Sequence, residues 1–325
     1  MIGSTRPRGA DRSPGRAVRT PTDTRPDAPR RRVDGVLLLD KPVGLTSNAA
    51  LQRVKHLFRA DKAGHTGTLD PAASGLLPVC FGEATKFAHM LLDADKSYVA
   101  TLRLGITTST GDAEGERVRE RAVEASRAEI EAVLPRFVGE IAQCPPRHAA
   151  LKYRGRNYYE YARAGIEIPR AERIVVVKEL RIEACSPPEV ELRVRCGKGT
   201  YIRVLAEDIG EALGCGAHLA ALRRIATGSF DLAAASSLDA LTALQEAERD
   251  RRLLAPDALV AALPRLDLDP DEETRVRRGQ SILRDGLPDG TYRAYVGDLF
   301  AGVAHCVGGR LRARRLMAGS STRIS

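Results

Sequence analysis

The hydrophobic pattern begins at Val36-Leu37-Leu38-Leu39, a short apolar run that ends in Asp40-Lys41-Pro42 and predicts a buried strand. Ser47 follows as a helix N-cap, with Ala50, Leu51, Val54, Leu57 and Phe58 at helical spacing. After a glycine-rich stretch at 64–75, Leu76 to Phe81 predicts a second buried strand. Ala84, Phe87, Ala88, Leu91 and Leu92 then share one face of an expected helix. Tyr98, Ala100, Leu102 and Leu104 alternate with Val99, Thr101 and Arg103, as in a half-buried strand. Glu114 to Phe137 is expected to be largely helical. The clearest alternation, Val190 to Cys196, runs through Gly197-Lys198-Gly199 into a helix capped by Thr200, with Ile202, Leu205, Ala206 and Ile209 facing inward. Leu238 to Leu263 carries helical patterning, and beyond Pro264 short strands alternate with the turn signals Asp289-Gly290 and Gly308-Gly309. Strands and helices mix without a βαβ repeat, so the expected class is α+β with a small β-rich appendage.

Composition adds organisation to this pattern. The 325 residues suffice for a full core and a second small domain, and with aromatics at 4% and no Trp that core must be aliphatic. Net charge is +9, but residues 1–33 carry +6 and residues 310–325 carry +5, leaving the body at −2. A polyanionic partner fits, yet the basicity belongs to the ends. Residues 1–33, rich in Arg, Pro and Gly and without periodicity or an apolar signal core, are expected to be a disordered basic leader. The expected divisions are 34–263 and 264–325. No apolar run approaches the roughly 20 residues that a bilayer requires. Six scattered Cys without a CxxC pair argue against zinc and disulfides, and favour a reducing, cytoplasmic setting.

The chain lacks GxxxxGK[ST], a strand-linked GxGxxG, HExxH and GxSxG, so no cofactor or metal is expected. The chemistry concentrates at Gly64-His65-Thr66-Gly67-Thr68-Leu69-Asp70-Pro71. Pro71 keeps Asp70 out of the helical region, and the glycines let the backbone approach a ligand. A histidine, two hydroxyls and an acid beside a buried strand suit a carboxylate acting as nucleophile or base on an uncharged ligand. A structural Asp-Pro turn would explain the acid alone.

The block GHTGTLDPAASGLLPVCFGEATKF resembles the signature of the bacterial tRNA pseudouridine synthase B (TruB) family. The resemblance extends to Asp40–Ser47, to ALKYRGRNYYEYARAGIEIPR, to Arg195–Arg203 and to Gly214–Leu219, in order, over about 34–240. It implies a cofactor-free isomerase that converts uridine 55 of the tRNA T-loop to pseudouridine. The implied fold is a catalytic domain with a mixed, largely antiparallel sheet, followed at 264–325 by a PUA-like RNA-binding barrel.

By the same resemblance Asp70 is the catalytic aspartate, Arg203 pairs with it, and Tyr98 stacks on the flipped base. An adjacent guanidinium would favour the ionised carboxylate. Tyr201 and Leu222 are implied to contact the base, His65 to hold the T-loop apart, and Lys41 to support the cleft. Residues 145–173 correspond to a thumb-like insertion with Lys152 as its lysine. Seven basic residues against three acids, with Tyr153, Tyr158, Tyr159 and Tyr161 among them, suit RNA. An amphipathic helix with Tyr158 and Tyr161 inward accounts for those two. The segment departs from the family at His148-Ala149-Ala150-Leu151-Lys152, where Tyr-Ser-Ala-Leu-Lys is common. Arg310, Arg312, Arg314 and Arg315 suit either a phosphate-contacting strand or a charged, solvated edge. The expected partner is tRNA and the expected state a monomer. One alternative is a synthase working on another RNA within a guide-RNA assembly, disfavoured because no long ordered extension is expected before residue 34. Another is a tRNA-folding chaperone without catalysis, which would not need the acid.

Overall fold

The computed structural model describes residues 29–149 and 151–318; the leader up to residue 28, Ala150 and residues 319–325 lie outside them. The first strand, β1 (Gly35–Lys41), is buried on both faces: Leu37 and Leu39 meet helix α1 (Ser47–Leu57), and Val36 and Leu38 meet a second apolar cluster. A continuous apolar run is what two covered faces require. Strand β2 (Ala63–His65) and the longer β3 (Ala73–Phe81) follow, and β3 pairs antiparallel with both β1 and β2.

Strands β4 (Lys96–Leu104), β5 (Ile106–Thr108) and β6 (Arg117–Glu120) lead to helix α2 (Arg127–Val133) and strand β7 (Gly139–Gln143). A short hairpin of β8 (Lys152–Tyr153) and β9 (Arg156–Asn157) precedes helix α3 (Tyr158–Arg163). The long β10 (Arg173–Ser186) turns into β11 (Glu189–Cys196), and helix α4 (Ile202–Ala212) returns the chain to β12 (Ala217–Thr227). Strands β13 (Phe230–Asp231) and β14 (Ser236–Ser237) complete one sheet. Its order is β14-β1-β3-β12-β4-β11-β10-β7, with β13 on β12 and β2 on β3. Only β1–β14 and β3–β12 are parallel, so the sheet is mixed and largely antiparallel as expected. Tyr98, Ala100, Leu102 and Leu104 of β4 enter one core with Ile202, Leu205, Ala206 and Ile209 of α4.

Short helices α5 (Leu238–Ala243) and α6 (Glu246–Asp250) lead to the second sheet. That sheet holds β15 (Arg265–Asp267), β16 (Ile282–Leu283), β17 (Gly290–Val296), β18 (Leu299–Val307) and β19 (Arg310–Leu316), with helix α7 (Pro270–Arg277) after β15. Its order is β15-β17-β18-β19-β16, a PUA-like arrangement with its own apolar cluster. Val303 of β18 also joins the cluster under β1, so the two sheets share packing. Gly308 and Gly309, both at positive φ, make the β18–β19 turn, and Asp289 accepts a hydrogen bond from the Gly308 amide.

Several local expectations need correction. Order starts earlier than residue 34: Val33 is buried and Arg31 pairs with Asp250 at 2.8 Å. The N-cap of α1 is Thr46, whose hydroxyl accepts from the Ala49 amide, which frees Ser47 to turn inward. Residues 82–91 form two 3-10 turns instead of an α-helix, with no side-chain cap on either, and Leu92 is exposed. In 114–137 only α2 is α-helical: the charged run 117–120 pairs with β5, and the helix waits for the Ser126–Glu129 capping box. The cap of α4 is Tyr201, because Gly199 at positive φ turns the chain and Thr200 donates its hydroxyl to the Gly197 carbonyl. Residues 238–263 break into short pieces, the last opened by Pro256.

Candidate active site

Asp70 sits in the loop between β2 and β3, which hydrogen bonds from neighbouring elements hold in place. The buried Ser47 hydroxyl donates to the Leu69 carbonyl (2.9 Å) and accepts from the Leu69 amide (2.8 Å). The Pro71 carbonyl accepts from the Gly44 amide. This leaves the Asp70 side chain 44% exposed, and Arg203 Nη2 meets its Oδ2 at 3.0 Å. Arg203 is only 6% exposed, and its Nη1 lies 3.6 Å from Oδ2 of Asp112. Asp112 is itself fixed by the Thr110 hydroxyl and the Glu114 amide on its other oxygen. One guanidinium on the first turn of α4 therefore faces two carboxylates from separate loops.

Beside Asp70 lies a cavity of about 280 Å³. Tyr98, Tyr201, Arg203 and Leu222 line it with Asp70, so five of the eight expected side chains come together. Tyr98 and Leu222 share one floor because β4 and β12 pair with Leu222 opposite Ala100. The Tyr201 backbone is bracketed by Gln143, which accepts from its amide at 3.0 Å and donates to its carbonyl at 3.3 Å. Burial raises the ionisation of both tyrosines above the ordinary phenol range, so their hydroxyls stay neutral near pH 7.

Lys41, His65 and Lys152 do not line the cavity. Lys41 is fully buried behind it, donates to the Pro42 and Leu45 carbonyls, and is pulled down to about 8 by desolvation. His65 is half-buried at the end of β2 with Nδ1 unpartnered, and burial lowers its pKa. Lys152 is exposed on the β8–β9 hairpin.

The site roles of four residues escaped the sequence reading. Arg224 is 1% exposed and donates from Nε to the Leu76 carbonyl (2.7 Å) and from Nη2 to the Gly67 carbonyl (2.9 Å). Strand alternation was a usable signal, since Arg224 stands two residues after Leu222 on the same face. Lys96 was legible in the same way, two residues before Tyr98; it is buried, lines the cavity and donates to the Leu92 carbonyl. Asp112 and Ser47 gave no comparable signal, because each acts through a fold-level contact. Among the described residues, no group of three or more His, Cys, Asp or Glu could hold a metal. A half-exposed carboxylate beside an aromatic and aliphatic floor is equipped to attack a flat, uncharged ring or the atom attached to it.

Comparison with known proteins identifies the family. Residues 55–202 match the model of the N-terminal domain of the TruB family pseudouridylate synthases. Residues 203–266 match the tRNA pseudouridylate synthase B C-terminal domain, and residues 264–317 the pseudouridine synthase II TruB C-terminal model. The tRNA pseudouridine synthase B of Thiobacillus denitrificans is 55% identical over 290 residues, covering 89% of this chain and 97% of its own. The chain belongs to the TruB family. That of Burkholderia mallei is 53% identical over 306 residues, covering 92% and 98%. Among solved structures, a Cbf5-Nop10-Gar1 complex matches with TM-score 0.66 and 25% identity over 87% of this chain and 84% of that one. An H/ACA RNP bound to a substrate RNA containing 2′-deoxyuridine matches with TM-score 0.67 and 25% identity over 88% and 85%. TruB-family membership makes the chain an isomerase that produces pseudouridine.

In this TruB-family chain the departure at His148-Ala149 falls on the cavity wall. There the backbone takes part: the His148 carbonyl accepts from Arg203 Nη2 at 3.4 Å, a contact indifferent to the side chain. Tyr158 is buried, and the Tyr161 hydroxyl donates to the Tyr153 carbonyl, so these two rings serve the local fold. Arg163 lies over the Tyr159 ring at 5.5 Å. Arg310, Arg312, Arg314 and Arg315 are exposed along β19. No helix among the described residues is long and apolar enough to cross a membrane.

Proposed function

We propose that this chain converts uridine 55 in the T-loop of tRNA to pseudouridine, with Asp70 as nucleophile and the target base flipped onto Tyr98. The observation that carries the reading is the half-exposed Asp70, held by the buried Arg203 at the mouth of a cavity floored by Tyr98 and Leu222. A uridine inside a stacked stem-loop cannot reach such a recess, so the base must leave its stack. Net isomerisation breaks the C1′–N1 bond and forms C1′–C5, while C5 loses a proton and N1 gains one. It consumes no oxidant or cofactor.

Residues 145–173 act as a thumb over the T-loop, with Lys152 and the arginines meeting phosphates outside the cavity, and His65 holds the loop apart from the other side. Lys41 supports the Asp70 loop from behind. The unit 264–325 gives a further RNA-facing surface through the β19 arginines. The protein works as a monomer in the cytoplasm. The tRNA substrate is favoured over a guide-directed RNA because the 53–55% identical relatives are tRNA pseudouridine synthases, whereas the H/ACA likeness stands at 25% identity.

The test is incubation with unmodified tRNA and no cofactor, followed by mapping of pseudouridine at nucleotide resolution beside an Asp70→Asn control. Pseudouridine at position 55 with wild type alone is the expected result. No product would remove the enzyme reading and leave an RNA-folding role; product elsewhere would remove the site; an active Asp70→Asn would remove the nucleophile.

A further inference from the structure

Arg224 is the cavity's unexplained charge. It lines the cavity from β12, yet among the described residues no carboxylate pairs with it. Arg203, by contrast, faces both Asp70 and Asp112. A buried cation without a counter-charge is costly to keep, and folds retain such groups where the charge has a use. The structure also makes room for it. Gly67 is at positive φ, and a Cβ there would lie 3.3 Å from Arg224 Nη1. The two carbonyl bonds aim the guanidinium without neutralising it: one runs to β3, the other to the loop that carries Asp70. Neutral acceptors of this kind fix a fork in place and leave its field directed at the empty space beside it. Lys96, buried on the same wall, adds to that field.

We propose that Arg224 stabilises the negative charge of the detached uracil ring during isomerisation. The inference rests on the pseudouridine-forming reading of the cavity. When the C1′–N1 bond breaks, its electron pair stays on N1 and spreads to O2 and O4, so the free ring is an anion. C1′ is held meanwhile by a bond to a carboxylate oxygen of Asp70. C5 then attacks C1′ and the carboxylate leaves with its electron pair. C5 loses its proton and N1 takes one up, which restores neutrality. Arg224 faces the anionic interval with its charge unpaired, and Lys96 stands on the same wall with its ammonium on the Leu92 carbonyl, whereas Arg203 is engaged by Asp70 and Asp112. The Asp70–Arg203 pair thus serves the sugar side of the broken bond, and Arg224 the base side.

The test uses the full chain and tRNA carrying 5-tritiated uridine under single-turnover conditions. Arg224→Lys keeps a charge and Arg224→Met keeps a similar shape without one. The expected losses are about 10²-fold for Arg224→Met and less than about 10-fold for Arg224→Lys, with tRNA affinity unchanged in both. The rate of Arg224→Lys should also gain a new alkaline limb as the buried ammonium loses its proton, where arginine stays charged. Equal losses in the two variants, or an Arg224→Lys pH profile superimposable on wild type, would overturn the proposal and leave Arg224 a brace. If Arg224→Met loses its native melting transition, the pH profile of Arg224→Lys decides alone. Wild type that forms no pseudouridine would instead refute the underlying reading, so the two failures are distinguishable.

Discussion

Replacing Asp112 with Asn removes one of the two carboxylates facing Arg203 and changes little else. The retained Oδ1 still accepts from the Thr110 hydroxyl at 2.5 Å and the Glu114 amide at 3.1 Å. The lost interaction spans 3.6 Å between side chains that are 6% and 10% exposed, too buried for solvent to screen strongly. Coulomb's law with an effective dielectric of about 20 gives about 4–5 kcal/mol at that distance. Recovered solvation of the partner reduces this, and breaking buried pairs costs about 3–5 kcal/mol in practice. We take about 3 kcal/mol. With Asp112 neutral, Asp70 is the one carboxylate left in ion-pair contact with Arg203 among the described residues, and the guanidinium turns toward it, so the carboxylate loses its set position at the cavity mouth. If the whole effect reaches the reacting geometry, the rate falls about 10²-fold. Release of tritium from 5-tritiated uridine in tRNA under single turnover reads that rate, and thermal melting separates it from unfolding. A variant within about twofold of wild type would show that Arg203 is positioned by its burial and not by Asp112.

Three further outcomes follow from the same structure. Ser47→Ala strips both hydrogen bonds from the Leu69 backbone in a buried setting, which costs about 1–3 kcal/mol; calorimetry should show a melting point lower by a few degrees, and an unchanged one would refute the pinning role. Lys41 has its folded pKa lowered to about 8 from 10.5, so between those values the unfolded chain binds more protons and stability rises with pH. Urea unfolding should therefore show wild type gaining about 3 kcal/mol over Lys41→Met from pH 7 to pH 10.5, and a pH-independent difference would contradict it. Arg163→Glu in the thumb should weaken tRNA binding and reduce the slope of log K against log salt by about 0.7–0.9, whereas a salt-independent loss would indicate disruption of α3.

The sequence by itself determined the elements whose periodicity is long and whose faces are unambiguous. β1, β4, β11 and α4 fall where their apolar positions put them, because a core face is written locally as spacing. It missed where hydrophobic spacing is compatible with several backbones: residues 82–91 close as 3-10 turns, and 114–126 carries charge that a strand pairing uses better than a helix. Asp70 stood out from its own loop as a candidate carboxylate, while Tyr98, Tyr201, Arg203 and Leu222 came only through the family resemblance; the structure gathers all five at one cavity. Only the tertiary structure could decide how Asp70 is held. Asp112, Ser47 and Arg224 lie 42, 23 and 154 positions from it along the chain, and their roles arise from strand order and loop closure. Charge and hydrogen bonding act through space over a few ångströms, so a partner's identity is local chemistry but its presence is a property of the whole fold.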